Sequence, residues 1–292
     1  MTEALRFQQG VNASRLTTLR VGGEVPLLVT ANTPAALEPA LRTLDDGPTW
    51  LMLGAGSNLL VGDTGVPPIL RLGEGFRRSW TRGNTLICGG ALSGATALRA
   101  AAAAGLSGLE PFGGMPGTVG GWAATNAGPS GCDTLERVDW VTARPRSGGA
   151  PVRFAASEIC RGYRTSPFRG EWIVEEVAFG LAPGPSCAIR RATRRARDQR
   201  MSSQPAGASA GCVFRNPQKA PAGKMIDRSG LKGSSVGPIT VSRQHANFIM
   251  NQGGGTATQV WRLIQRLRRD VEARFGVPLQ LEIERFGSFA GA

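Results

Sequence analysis

Residues 105–128 read GLSGLEPFGGMPGTVGGWAATNAG, and eight of them are glycine. Glu110 is the only charged residue in the stretch. Linkers are polar and repetitive, whereas here Leu106, Leu109, Phe112, Met115, Val119 and Trp122 are spaced through the glycines. The pattern describes backbone that is packed, bent and brought close to something. Glycine tolerates positive φ and lacks the Cβ that would hold a ligand away. Gly113-Gly114, Gly117 and Gly120-Gly121 could therefore turn bare N–H groups toward an anion. A set of tight turns inside a β-rich core would also use them. Three clusters within nine residues favour a cofactor loop.

A second glycine stretch follows a short apolar run. Trp50 to Leu53 reads as a buried strand, and Gly54-Ala55-Gly56-Ser57-Asn58 comes directly after it. A dinucleotide fingerprint of the Rossmann kind needs a third glycine and a helix opening after the turn. Leu59-Leu60-Val61 instead runs into Gly62-Asp63-Thr64-Gly65, another turn. A phosphate cradle between two short strands is the reading that remains.

The rest of the chain supplies the frame. At 292 residues it can hold two or three domains and a large core. The first ten residues carry Glu3 and Arg6 and no apolar run of the secretory type. Ala100 to Ala104 is far too short to span a bilayer. Five scattered cysteines without a C-x-x-C argue against zinc and against a disulfide framework. A reducing, cytoplasmic setting is expected, with no metal. The net charge of +13 invites comparison with nucleic-acid binding. Its densest run, 190–200, reads as a solvated, arginine-rich connecting helix that could attract anionic partners. Dinucleotides and nucleotide-sugars are anionic too. Six tryptophans and one tyrosine form no stacking ladder of the single-strand-binding kind.

The local patterns predict strands at 17–23, 27–30, 50–53, 59–61, 69–72, 86–88, 138–143, 172–179 and 279–284. Thr33-Pro34 starts a helix that Pro39 interrupts or kinks. Residues 93–104 predict an alanine-rich helix stopped by Gly105. Residues 257–275 give the clearest helix. Val260, Leu263, Ile264, Leu267, Val271 and Phe275 keep a 3.6-residue spacing, and Gly276 ends it. Boundaries are expected near 70 and 187, giving segments 1–70, 71–187 and 188–292.

Three polar stretches carry candidate chemistry. An arginine between turn residues, such as Arg164, is usually a surface group. A cysteine beside Val-Phe, such as Cys212, is usually a small buried hydrophobe. A glutamate in an alternating strand, such as Glu282, is usually solvated. His245 is the only histidine, so a His-based metal site or a Ser-His-Asp triad is not expected.

Seven ordered stretches change the weight of these readings. LGAGSNLLVGD (53–63), GGMPGTVGGWAATNAG (113–128), GYRTS (162–166), SAGCVFRNP (209–217), AGKMIDRSGLKG (222–233), SRQHANFIMN (242–251) and LEIERFG (281–287) together resemble the UDP-N-acetylenolpyruvoylglucosamine reductase family, in its shorter form. The resemblance runs from about Thr17 to Gly287. It implies an α+β protein with a two-subdomain FAD-binding fold of the vanillyl-alcohol-oxidase/PCMH type, 1–70 and 71–187. A C-terminal α+β substrate-binding domain, 188–292, would follow. Noncovalent FAD would lie along Leu53, Gly54, Ala55, Gly56, Ser57, Asn58 and Leu59. It would also lie along Gly114, Pro116, Gly117, Thr118, Gly120, Gly121, Ala124, Asn126 and Gly128. NADPH would be the hydride donor.

The resemblance also implies that Arg164, Cys212 and Glu282 are catalytic. Tyr163, Gly211, Asn216, Lys224 and His245 would join them in contacting UDP-N-acetylglucosamine enolpyruvate. No nucleic acid, membrane or obligate protein partner is expected. The family usually has serine where Cys212 stands, as donor of a proton to the substrate. A thiol can also donate, since its ordinary pKa is roughly 8.5. Another flavoprotein of the same FAD fold, or a basic nucleic-acid-binding protein, are the rival readings.

Overall fold

The computed structural model describes residues 3–45, 50–129 and 131–289. Two compact units emerge, interleaved along the chain. The first combines the amino-terminal strand Leu5–Gln8 with Leu28–Ala55 and Ile69–Arg200. The second combines Gln9–Leu27, Gly56–Pro68 and the chain from Met201 onward.

The first unit holds two sheets. Strands Leu5–Gln8, Leu28–Ala31, Ile69–Leu72 and Leu51–Leu53 form one, in that order. The last three pair parallel, and every residue of Leu28–Ala31 is buried. Near-continuous apolar runs are what a strand covered on both faces requires. Helix α1, Leu37–Asp45, follows a 3-10 turn at Pro34–Ala36. Pro39 falls in the first turn of α1, where its missing N–H breaks no bond.

The second sheet is antiparallel, in the order Val152–Ala155, Val138–Pro145, Trp172–Gly180, Thr85–Gly89, Ser79–Arg82. Helices α2, Gly94–Ala103, and α3, Val119–Thr125, pack with it. Ser93 caps α2, its hydroxyl accepting from Thr96 N at 3.2 Å. Trp122 of α3 stacks on Phe112 at 5.5 Å between centroids, inside an apolar core with Leu86, Leu98, Val141 and Val177. Helix α4, Ser186–Ser203, carries the arginine run, and Ile189 is its one buried residue. A groove of about 620 Å³ between α2 and α4 is lined by Leu98 and Met115 and by Arg99, Arg190, Arg194 and Arg197.

The second unit is built around α6, Ala257–Phe275, after the short helix α5, Ala222–Arg228. Val260, Leu263, Ile264, Leu267 and Val271 of α6 are buried with Leu60, Val213, Phe214 and Ile226. Thr256 and Gln259 form a capping box, and Gly276 closes α6 at φ 64°. The Asp63 carboxylate also accepts from Ala257 N and Thr258 N, both at 2.8 Å. Strands Ser235–Val236, Ile239–Val241 and Ile249–Asn251 form a small antiparallel sheet. Leu59–Val61 pairs parallel with Glu284–Phe286.

Several elements differ from the sequence-based expectation. Residues 17–23 form a turn, not a strand: Arg20 is left-handed at φ 57°. The Asn251 side chain donates to Leu19 O and Arg20 O, so a side chain replaces the expected neighbouring strand. Residues 279–284 do not form one regular strand, because their partner changes. Glu282 N donates to Val213 O, whereas Glu284 N donates to Asn58 O. Strand Ile69–Leu72 is central to the first sheet, so a boundary at 70 cuts through it. Residues 9–27 and 56–68 group with the chain beyond Arg200, while 188–200 group with the preceding sheets. Pairing across long sequence separations, invisible to local pattern, sets these groupings.

Candidate active site

Two clusters form in the first unit. In one, the turn at 117–120 is laced onto 90–94. Gly94 N donates to Gly117 O at 3.1 Å, Val119 N to Leu92 O at 2.9 Å, and Gly120 N to Gly90 O at 2.9 Å. Gly117 takes φ 115°, which a side chain would strain. The Thr118 hydroxyl accepts from Gly121 N at 3.2 Å and caps α3. Gly54, at the end of Leu51–Leu53, faces the same hydroxyl: a Cβ there would lie 3.0 Å from Thr118 Oγ1. Gly54 and Gly121 thus converge as bare backbone around the Thr118 hydroxyl. This cradle, which a Cβ would crowd, fits the close approach of a dinucleotide cofactor such as FAD.

Other glycines of the stretch have different explanations. A Cβ at Gly120 would meet Gly90 O at 2.8 Å and Val174 O at 3.2 Å. One at Gly128 would meet the Cys132 carbonyl. Gly114 faces α4, where a Cβ would lie 3.3 Å from Arg197 Cα and Cγ. Pro116 O accepts from Trp122 Nε1 at 2.7 Å, and Ala124 lies on α3. Leu53 is buried and Ala55 exposed. In the second unit, Gly56 packs on the backbone of Leu16 and Thr17. Ser57 is half-buried and Leu59 begins its strand. Close packing of the chain on itself selects glycine at 56, 120 and 128.

The second cluster surrounds Arg164. Gly162 and Thr165 exchange backbone hydrogen bonds, at 3.4 and 2.9 Å, around a tight turn. Arg164 occupies it at φ 55°. Its Nη2 donates to Gly128 O at 2.8 Å, and Nη1 reaches Asn126 O at 3.4 Å and Asp133 Oδ1 at 3.3 Å. The guanidinium lies 5.0 Å from the ring centroid of Tyr163, which is exposed. Asn126 is left-handed at φ 44° and fully buried. It donates to Gly162 O at 2.8 Å and accepts from Leu135 N at 3.0 Å. Burial pushes the Asp133 carboxyl above its ordinary value, Arg164 pulling it down and Glu136 pushing it up. Asp133 escapes a reading of the sequence, since a lone aspartate after Gly131-Cys132 signals only a turn.

In the second unit, Cys212 bridges Phe248 and Phe214 bridges Leu281. Because Glu282 N donates to Val213 O at 2.8 Å, Cys212 is one residue from the backbone partner of Glu282. Asn58 Nδ2 donates to Glu282 O at 3.3 Å from the other side. Buried Asn247 fixes the Cys212 segment. Its Oδ1 accepts from Phe214 N at 2.9 Å, its Nδ2 donates to Phe214 O at 2.8 Å, and its carbonyl accepts from Val213 N at 2.9 Å. Gly211 takes φ 77°, and a Cβ there would point into open space among the described residues.

The Asn216 side chain accepts from Ala222 N at 3.1 Å at the start of α5. Lys224 is exposed on that helix. His245 faces the neighbouring Gly223: a Cβ there would lie 3.3 Å from its Cε1. Its Nδ1 accepts from Asn247 N at 3.3 Å, and Phe248 packs edge-on at 4.9 Å. Burial lowers the His245 pKa, its own backbone hydrogen bond raises it, and Lys232 lowers it further. Below its ordinary value, the imidazole is uncharged at neutral pH. Lys232 is paired with Asp227 at 2.7 Å. Among the described residues, no group of three or more His, Cys, Asp or Glu could hold a metal ion.

Comparison with known proteins gives the class first. Residues 25–148 match the family model described as an FAD binding domain, placing the chain among flavin-binding α+β proteins. Residues 203–286 match the model described as UDP-N-acetylenolpyruvoylglucosamine reductase, C-terminal domain. The reductase 2 of that name from Symbiobacterium thermophilum is 38% identical over 287 residues, 97% of this chain and 92% of the relative. The reductase from Parasynechococcus marenigrum is 37% identical over 302 residues, 98% of each chain. The crystal structure of the enzyme from Thermus caldophilus superposes with a TM-score of 0.84 at 34% identity, covering 97% of this chain and 99% of that one. The chain belongs to the UDP-N-acetylenolpyruvoylglucosamine reductase family.

Proposed function

We propose that this protein reduces the enolpyruvyl ether of UDP-N-acetylglucosamine enolpyruvate to UDP-N-acetylmuramate, a step in peptidoglycan precursor synthesis. It is an FAD-containing oxidoreductase that takes its hydride from NADPH. The observation that carries this reading is family identity along 97% of the chain. The Gly54, Thr118 and Gly121 cradle would hold part of the noncovalent FAD. When bound, FAD would pass the hydride from NADPH to the terminal carbon of the enol ether. Negative charge then develops toward the substrate carboxylate. The Arg164 guanidinium is suited to clamp that group through parallel hydrogen bonds. Glu282 would help stabilise the developing charge. Cys212 would deliver a proton to the carbon next to the one reduced. Tyr163, Gly211, Asn216, Lys224 and His245 would contact the nucleotide-sugar.

The first part of the chain is proposed to bind FAD and the last part to bind substrate, a division supported by the matches over 25–148 and 203–286. The cytoplasm is the proposed location. Among the described residues, no helix is long and apolar enough to cross a membrane. The proposed partners are the nucleotide-sugar and NADPH.

The purified protein should be yellow, and acid precipitation should release all its flavin as free FAD. NADPH should bleach the flavin bands, and the enolpyruvyl substrate should restore them. A colourless protein that cannot be reconstituted with FAD would sink the proposal. Because α4 exposes Arg190, Arg194 and Arg197, association with NADPH should slow as salt rises, exposed charges being screened beyond roughly 8 Å. Tight, sequence-specific duplex DNA binding at physiological salt would favour the nucleic-acid rival instead.

A further inference from the structure

We propose that Asp133 is a positioning residue for Arg164, orienting its guanidinium for the substrate carboxylate. The inference rests on the role proposed above for Arg164. Arg164 lies at a left-handed turn position, so its backbone alone sets an unusual exit direction for a long, flexible side chain. The guanidinium is held by acceptors that include the carbonyls of Gly128 and Asn126 and the carboxylate of Asp133. Of these, Asp133 alone is a charged acceptor, and charge-assisted hydrogen bonds are the stronger ones. Both partners are mostly buried, with side chains 18% and 19% exposed, so solvent screens their attraction less than at an open surface.

The carboxylate is also fixed from behind. Its Oδ2 lies 3.4 Å from Asn126 Nδ2. The same Asn126 amide donates to Gly162 O, in the turn that carries Arg164. Asp133 itself starts the 3-10 helix Thr134–Arg137, its N–H donating to Glu136 Oε2 at 3.3 Å. The side chain therefore faces two donors at once, the guanidinium and the Asn126 amide. A carboxylate accepts from both. An amide at this position would have to turn its NH₂ toward one of them, donor against donor. That requirement selects aspartate over its isosteric amide, and it makes the amide the informative variant. Asparagine is as good a helix-start residue as aspartate, so the substitution leaves the 134–137 cap in place.

Asp133→Asn should slow the substrate half-reaction, measured by rapid mixing, about 10- to 100-fold, the range for losing a hydrogen bond to a charged group. NADPH oxidation in a single turnover should stay near wild type, and the thermal midpoint should fall by only a few degrees. Asp133→Glu should recover part of the substrate rate. Asp133→Asn combined with Arg164→Lys should be scarcely slower than Arg164→Lys alone, because both changes act through one group. Equal losses in both half-reactions with a lowered midpoint would assign Asp133 a merely structural role and overturn the proposal. So would a wild-type substrate rate in Asp133→Asn alongside a slow Arg164→Ala. If Arg164→Ala itself reduces substrate at the wild-type rate, the reading of Arg164 falls, and this inference with it.

Discussion

Cys212→Ala is expected to slow delivery of reducing equivalents to the enol ether by about 10²-fold or more, while NADPH oxidation in a single turnover stays near the wild-type rate. The two half-reactions make different demands. Taking hydride from NADPH needs no proton at position 212. Completing reduction of the enol ether needs one, because carbanion-like charge on the substrate must be quenched. The segment is held through Val213 and Phe214 by the buried Asn247, so loss of the thiol leaves the backbone anchored. Cys212→Ser should keep substantial activity and extend it to higher pH, since a hydroxyl does not ionise where a thiol does. Rapid-mixing kinetics on the three proteins would decide the matter. Equal rates of substrate reduction in wild type and Cys212→Ala would mean that another group or water supplies the proton.

Gly120→Val is expected to lower the thermal midpoint by about 5 °C, as overpacking of this kind costs up to roughly 3 kcal/mol. The Cβ would meet Gly90 O at 2.8 Å, and both residues are tied by the Gly120 N to Gly90 O hydrogen bond. Neither backbone can yield without lifting α3 from the sheet. Gly54→Val is the contrasting case. Its nearest neighbour is the Thr118 hydroxyl at 3.0 Å, the tip of a short side chain. That variant should keep a near-native midpoint and lose bound FAD. Differential scanning calorimetry with flavin absorbance separates the two outcomes. A Gly120→Val protein of wild-type midpoint but without flavin would show that residue 120 faces the cofactor.

The difference between these two glycines marks where the sequence stops being informative. Glycine density at 105–128 shows that backbone must come close to something, but not whether that something is a ligand or the chain itself. The same density hides α3, because glycine is a poor helix former and tertiary contact with 90–94 overrides that preference. Helix α6 is legible to the residue, since an apolar stripe and a terminal glycine agree. The single strand expected at 279–284 fails because alternation does not reveal a change of partner. Asp133 is silent for a related reason: its significance lies in Arg164, 31 residues away, and no local pattern links them.

The parallel pairing of Glu284–Phe286 with Leu59–Val61 has a consequence for biosynthesis. Parallel neighbours this far apart in the chain form late, because a long loop must close before any contact offsets its entropy. During translation the 59–61 segment emerges more than two hundred residues before its mate. Its apolar side chains, Leu59, Leu60 and Val61, must wait until residues 284–286 are made for their final neighbour. The second unit therefore completes only after residues 284–286 have left the ribosome. A premature stop before Glu284 would leave that edge open to self-association, the hazard of any uncapped strand. The 284–286 strand is thus a checkpoint on the chain's own quality as well as a structural element.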